Sequence, residues 1–551
     1  MSASLAARFR YLLRGGERRL ARAHAQAELD TATRTPGQVA LTREMTRRQA
    51  QLETHAVFGT TEDGIPYLIP IAALSRHMLF TGASGAGKTF GLLRLLLPLL
   101  PLALRGERSV TLVDPKGEIS ALLPPLLAEV VLALPTGARA AALRRIRMVD
   151  PFDPHALPPL DLLSVRTALE EGVHLRQVVS ALAQATATLG IRQADALLWL
   201  TRLAREQGVP FSLLPMILND SFVREALVAR SSAEVRSYFH GRFTTESTVT
   251  RDGLGARLDS FLALRSTRLC LAAGSMLDLG AALDEGVTVV NLGHAPGGVR
   301  SVQSFFALTL TTLLIQAAFA RPNTAQQPPA TLVFDDVAEL LLQDVAVDLE
   351  RTLVLLRSRN VHLLATTQEL AQLTAITPLL RGAFLTNAAV WTAFRAGPHD
   401  DHALSLMLRP TGRRLRTRGH PWEGERGPVF HSQAEEQRLL LEEAISLPAR
   451  TAYVWDRAEA FGPVRLRTAD LQTPTEASLP AELLAEIRRG SVAVPIPDLE
   501  ARLVSERERL RALTGAVARP ERTEGPSPSP GVSADAHTRR RRRPTNVPNL
   551  G

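Results

Sequence analysis

Gly82-Ala83-Ser84-Gly85-Ala86-Gly87-Lys88-Thr89 fits the pattern G-x-x-x-x-G-K-[ST] at every position. The apolar run His77-Met-Leu-Phe-Thr81 stands before it and reads as a buried strand. Phe90-Gly-Leu-Leu opens a helical pattern after it. Strand, glycine-rich turn and helix, in that order, are the context in which the pattern holds phosphate. Small residues let backbone N–H groups curl around phosphate oxygens, and the helix adds its N-terminal partial positive charge. The reading assigns Gly82, Ser84, Gly85, Ala86, Gly87, Lys88, Thr89 and Phe90 to a bound nucleotide, ATP. Lys88 reaches the β- and γ-phosphates, and the Thr89 hydroxyl ligates Mg²⁺. The alternative is a chance glycine-rich turn. The flanking strand and helix weigh against it.

Composition sharpens this. Of 64 basic residues only two are lysines, Lys88 and Lys116. Ammonium is a compact point charge and guanidinium a broad planar fork. A chain so biased toward arginine keeps lysine where the compact charge is needed. The second lysine sits in Thr111-Leu-Val-Asp114-Pro-Lys116-Gly-Glu118, a strand ending in charged groups. Such a strand end faces the carboxyl edge of an open α/β sheet, where ligands bind. A helix-start turn with Glu118 in its first turn is the plainer reading.

Further strands are expected at Val57-Phe58, Tyr67-Leu-Ile-Pro, Ile146-Arg-Met-Val149, Val287-Thr-Val-Val-Asn291, Thr331-Leu-Val-Phe334, Val361-His-Leu-Leu-Ala365 and Ala388-Ala-Val-Trp391. The strand at 452–455 reads as the end of the folded core. The expected fold is α/β. Its divisions are a basic helical arm over 1–56, the nucleotide-binding domain in two parts (57–164 and 246–475), an all-helical insertion over 165–245, a helical extension over 476–515 and a disordered basic tail over 516–551.

Thr331-Leu-Val-Phe334-Asp335-Asp336 is an apolar strand closed by two carboxylates, the Walker B pattern. Asp335 is expected to hold Mg²⁺, and Asp336 stands where a base would polarise the attacking water. That base is usually Glu, and the carboxylate of Asp sits back by about 1 Å, a displacement able to cost roughly 100-fold in rate. The next strand ends in Gln368, placed to sense the γ-phosphate or orient water. Arg357, eleven residues earlier, is a candidate arginine finger for a neighbouring subunit, with Arg359 close by. A solvated surface arginine is the alternative for either.

Length and composition exclude other classes. The chain has 551 residues, 45% of them apolar, enough for two or three domains with a sizeable core. One cysteine, Cys270, rules out a disulfide scaffold. The longest apolar stretch, Leu95–Leu104, includes Pro98 and Pro101 and is too short to span a bilayer. No signal-peptide core stands at the N-terminus. The expected location is therefore cytoplasmic, or peripheral at the inner face of the cell membrane. Net charge is +9, with +6 in residues 1–50 and +6 in 501–551, so the 450 residues between carry −3. Basic ends suit a polyanion, nucleic acid or acidic lipid, or serve solubility. Leu5, Phe9, Leu12 and Leu13, interleaved with arginines, suit either a membrane-surface helix or an ordinary end helix packed on its own domain.

Taken in order, these features resemble one family. They are His77 before the P-loop, Asp114-Pro-Lys-Gly-Glu118, Val149-Asp-Pro-Phe-Asp153 leading to Pro159-Leu-Asp-Leu162, a helical insertion, Asp335-Asp336, Arg357 and Gln368. Over roughly residues 57–475 the chain resembles the type IV secretion coupling proteins, conjugative DNA-transfer ATPases of the FtsK/HerA superfamily. The resemblance implies a RecA-like P-loop NTPase core with an inserted all-α domain. It implies a homo-oligomeric ring, typically hexameric, that uses ATP and Mg²⁺, binds DNA, and receives it with a relaxase for a secretion channel. Carried over residue by residue, Lys88 and Thr89 are Walker A, Asp335 and Asp336 Walker B, Gln368 the sensor and Arg357 the trans finger. Two departures stand out. Most relatives begin with membrane-spanning helices, which this sequence does not show. Attachment would then fall to a partner or to the basic N-terminal helix. Asp336 also replaces the usual Glu. Two alternatives follow: a FtsK/HerA-type motor for another DNA task, or a nucleotide-switched recruitment adaptor with little hydrolysis.

Overall fold

The computed structural model describes residues 36–51, 54–164, 171–186, 189–272, 274, 277–295, 300–323, 326–397, 399–411, 414 and 430–515. The amphipathic pattern at residues 5–14 and the tail beyond 515 lie outside the described residues.

Thirteen strands are described: β1 (His55–Thr61), β2 (Pro66–Pro70), β3 (Met78–Thr81), β4 (Ser109–Asp114), β5 (Ile146–Val149), β6 (Ala156–Leu157), β7 (Gly286–Asn291), β8 (Ala330–Phe334), β9 (Val361–Thr367), β10 (Val390–Ala393), β11 (Thr451–Asp456), β12 (Val464–Thr468) and β13 (Val494–Pro495). Eleven form one sheet in the order β2-β1-β12-β11-β10-β3-β9-β8-β4-β7-β5. From β10 to β5 every pairing is parallel, and from β10 to β2 every pairing is antiparallel. One strand, β9, lies between the P-loop strand β3 and the acidic strand β8. This is the arrangement of a RecA-like P-loop core.

The parallel strands are apolar throughout because helices cover both faces. Alternate residues serve opposite sides. Leu79, Val113, Val290, Leu332 and Leu363 join one core, and Phe80, Leu112, Val289, Val333 and Leu364 join the other. In a parallel array all carboxyl ends fall on one edge. Gly82, Asp114, Asn291, Asp335 and Gln368 therefore arrive on that edge together.

The described elements add to the sequence reading in three places. The helical segment does not end at 245: helices Thr248–Leu262, Arg265–Cys270 and Leu279–Asp284 follow before β7 begins. Helix Thr248–Leu262 packs on the insertion helices Ile191–Glu206 and Leu214–Asn219. Nor does the core end at 452–455. β12 follows and pairs with both β11 and β1. Its alternating Val464, Leu466 and Thr468 are buried, while the intervening arginines face outward, so the charge hides the strand from a search for apolar runs. Finally, among the described residues the helix best suited by length and composition to crossing a membrane is not at Leu95–Leu104. It is Arg300–Ala320, with 21 residues and a mean hydropathy of 1.5, and most of it is buried. It lies under the insertion helix Glu171–Thr186, with Phe305 against Phe261 at 4.8 Å, so it reads as a core helix.

Part of the basic arm is docked. Helix Pro36–Gln49 buries Met45 and Leu41, and Arg48 donates to the Leu68 carbonyl of β2 at 2.7 Å.

Two histidines lie inside the parallel sheet. The Leu363 N–H donates to His77 Nδ1 at 2.9 Å, so the Nε2–H donates to the Leu353 carbonyl at 3.0 Å. Burial holds His77 down at about 4, and burial with the neighbouring His77 holds His362 at about 3. A histidine whose folded pKa is depressed contributes stability above its unfolded value, near 6.5, and loses it as pH falls toward the folded one. For His362 the loss is about 2 kcal/mol by pH 5. The stability of the wild type relative to His362→Gln should fall by that amount between pH 7 and pH 5. Denaturant titrations at both pH values test this, and the comparison cancels the other titrating groups. A constant difference would refute it.

Candidate nucleotide site

The P-loop is built by close backbone approach. The Gly82 N–H donates to Thr367 on β9 at 3.3 Å, and the Ala83 N–H to Arg395 beyond β10 at 2.8 Å. Gly87 has φ +107, and a Cβ there would stand 2.9 Å from the Arg450 backbone. Glycine is required on both counts. The Arg450 N–H in turn donates to the Ala86 carbonyl at 2.7 Å.

Lys88 opens the helix Lys88–Leu96, and its ammonium donates to the Gly82 and Ala83 carbonyls at 2.6 and 3.2 Å. Burial lowers its pKa, against the pull of Asp336 and Asp335. Thr89 follows on the helix, and its hydroxyl donates to Glu118 Oε2 at 3.3 Å. Phe90 is exposed beside the loop, with the Arg450 guanidinium over its ring at 5.4 Å from the centroid.

At the end of β8 Asp335 and Asp336 are both buried. Asp335 Oδ1 accepts from the Thr366 hydroxyl at 2.7 Å, and the Asp336 N–H donates to the same hydroxyl at 2.8 Å. Burial pushes Asp335 up to about 6, with the neighbouring Asp114 and Asp336 adding to it. Asp336 has φ +49, an uncommon conformation for a non-glycine residue. Its Oδ2 forms an ion pair with the Lys116 ammonium and accepts from Gln368 Nε2 at 3.3 Å. Its Oδ1 is buried with no hydrogen-bond partner among the described residues. Burial works against the charge on Lys116, but the Asp336 pairing outweighs it and the ammonium pKa is raised.

One turn carries Lys116 and Glu118 to this place. Asp114 Oδ1 accepts from the Lys116 and Gly117 N–H groups at 3.2 and 2.8 Å, and Oδ2 from the Ser120 N–H and hydroxyl at 2.8 and 2.9 Å. Gly117 has φ +76 and packs against Gly293, the loop after β7.

Lys88, Thr89, Asp335, Asp336 and Gln368 thus stand together. Arg357 does not join them. It is exposed near the end of helix Gln343–Ser358, ahead of β9, whereas Gln368 follows β9. Seven strand residues separate the two edges by roughly 20 Å. Arg359 donates to the Arg321 carbonyl, an internal tie. Sequence reading missed Arg450 and Arg395, the latter donating to the Ser84 carbonyl at 3.4 Å. Both lie far along the chain from the P-loop, and no motif marks them. Lys116 and Glu118 were visible in sequence, but not their partners.

The residues fit ATP with Mg²⁺. The glycine cradle, the ammonium at its mouth, the Thr89 hydroxyl, the buried Asp335 carboxylate and the unpartnered Asp336 oxygen form one donor and acceptor set.

No known family model matches the chain, and neither does any curated protein. Solved structures do. VirB4 of Thermoanaerobacter pseudethanolicus is similar over 76% of this chain and 97% of its own, with 14% identity and a TM-score of 0.47. The bacterial conjugative coupling protein TrwB, in an unbound form, is similar over 77% and 92%, with 15% identity and a TM-score of 0.46. The cytoplasmic domain of the Thermomonospora curvata type VII secretion ATPase EccC is similar over 80% of this chain and 31% of its own, with 16% identity and a TM-score of 0.27.

Proposed function

We propose that the protein is an ATP-hydrolysing motor that binds DNA or a relaxase–DNA complex and drives its transfer to a type IV secretion channel. The observation that carries this is the convergence of Lys88, Thr89, Asp335, Asp336 and Gln368 on one sheet edge, with the Asp114-Pro-Lys-Gly-Glu118 turn beside them. Lys88 and the loop amides would bind the phosphates, and Thr89 and Asp335 would hold Mg²⁺. When bound, the metal would neutralise charge developing on the transferred phosphoryl group. Gln368 would orient water.

The motor would act as a ring, hexameric as in the family the sequence resembles. Arg357 cannot serve its own nucleotide from the opposite edge of the sheet. Its proposed role is in trans, at the neighbouring subunit's site. Contacts to DNA would run mainly to phosphates and weaken with salt. The work would be cytoplasmic, with any membrane contact made by the basic N-terminal stretch.

A second reading, a nucleotide-switched adaptor with little turnover, draws on the Lys116–Asp336 ion pair, which occupies the carboxylate in the base position. A motor for another DNA task shares the site and differs in cargo.

ATPase measurements with and without single- and double-stranded DNA separate these. Turnover should rise with DNA, fall as salt is raised, and vanish in Lys88→Ala. Tight ATP binding without turnover under all conditions would favour the adaptor. Co-purification with a relaxase or channel components would separate secretion from another DNA task.

A further inference from the structure

Two carboxylates approach the phosphate end of the site, and their surroundings differ. Asp336 is 3% exposed, and its Oδ2 is shared between the Lys116 ammonium and the Gln368 amide. Its side chain is short and its backbone is fixed in a left-handed conformation. Little freedom remains for it to follow an attacking water. Glu118 is one methylene longer and exposed, and it lies within hydrogen-bond distance of the Thr89 hydroxyl. Its backbone is held by the Asp114 turn and the Gly117–Gly293 contact. The turn is tied by hydrogen bonds and a close backbone contact, while the carboxylate stands exposed beside the Thr89 hydroxyl. A general base must come within hydrogen-bond reach of the water it deprotonates, and an exposed carboxylate beside the Thr89 hydroxyl has that reach.

We propose that Glu118 is the catalytic carboxylate of the hydrolysis step, and that Asp336, clamped by Lys116, is a positioning residue for Gln368. The inference rests on the hydrolysis reading above. The water oxygen forms a bond to the γ-phosphorus as the bond from that phosphorus to the β–γ bridging oxygen breaks. ADP leaves with the electron pair. The water proton passes to the Glu118 carboxylate and from there to the released phosphate, which restores Glu118. One turn, Pro115–Glu118, then supplies both the clamp on the buried acid and the acting one. This gives the second lysine a place in the same machinery as the first.

The test uses the full chain and the variants Glu118→Gln and Asp336→Asn. It reads ATP turnover with and without DNA, together with Mg²⁺-dependent binding of a fluorescent ATP analogue. Glu118→Gln should bind the analogue within about 3-fold of wild type and lose at least about 100-fold in turnover, the lower end for a lost general base. Asp336→Asn should lose about 10-fold or less. Turnover in Glu118→Gln within about 3-fold of wild type would overturn the assignment. So would a loss that saturating Mg²⁺ restores, which would make Glu118 a holder of the metal. A larger loss in Asp336→Asn than in Glu118→Gln would return the role to Asp336. A wild type that binds the analogue and never turns over would overturn the hydrolysis reading itself, and this inference with it.

Discussion

Asp335→Asn should melt higher than the wild type in the presence of chelator, while its Mg²⁺-dependent ATP turnover falls by roughly 1,000-fold. Both effects have one source. Asp335 is 4% exposed, and its pKa is pushed up to about 6, mainly by burial. A carboxyl whose folded pKa exceeds its unfolded one favours the fold below the unfolded value, near 3.8. It loses that benefit as pH rises toward the folded value. Above about pH 6 the buried charge therefore costs on the order of 3 kcal/mol. Asparagine removes the charge and keeps an oxygen to accept from Thr366. The gain in melting temperature should be several degrees at pH 7.5 and shrink toward zero near pH 4. On the proposed reading the same charge would hold Mg²⁺, so function and stability would oppose each other at this position. Calorimetry across pH with an ATPase assay checks both halves. A variant less stable than wild type at pH 7.5 would show that neighbouring cations already compensate the charge.

Lys116→Ala should destabilise the protein by about 1–3 kcal/mol. Breaking a buried pair costs roughly 3–5 kcal/mol because the surviving charge is left uncompensated. The Lys116 side chain is about a third exposed, 35%, against 4% for the Asp336 side chain, so solvent screening reduces the figure. Asp336→Asn should recover most of the loss in the double variant, because no orphaned charge then remains. A coupling of at least about 1 kcal/mol is expected from the double-mutant cycle. Additive effects would mean that the pair contributes nothing to the fold.

The nucleotide half of this architecture was legible in sequence for a physical reason. A parallel strand buried on both faces must be apolar throughout, and a phosphate-binding turn must be small. Thus 78–89 and 330–336 announce themselves. Asp335, Asp336 and Gln368 follow from the rule that parallel strands end on one edge. The antiparallel flank was harder to see. β12 carries Arg465 and Arg467 on its open face, and β1 mixes Gly59 and threonines with its apolar residues. The limit of the helical insertion was illegible because helices inside and outside it have the same period. Partnerships across the chain, such as Arg450 with the P-loop, leave no local trace, since the residues that meet are some 360 positions apart.

β1 and β12 have a consequence for how the chain is made. Gly59 pairs with Thr468, some 400 residues later. During synthesis the β1–β2 hairpin leaves the ribosome long before its partner exists, and its open edge must wait for some 400 further residues. Sequence separation of this size slows folding, and a waiting edge invites pairing with other chains. The docked helix Pro36–Gln49 leans on β2, the other side of that hairpin. It packs on the strand next to the waiting one, and the β1 edge itself stays open until β12 arrives.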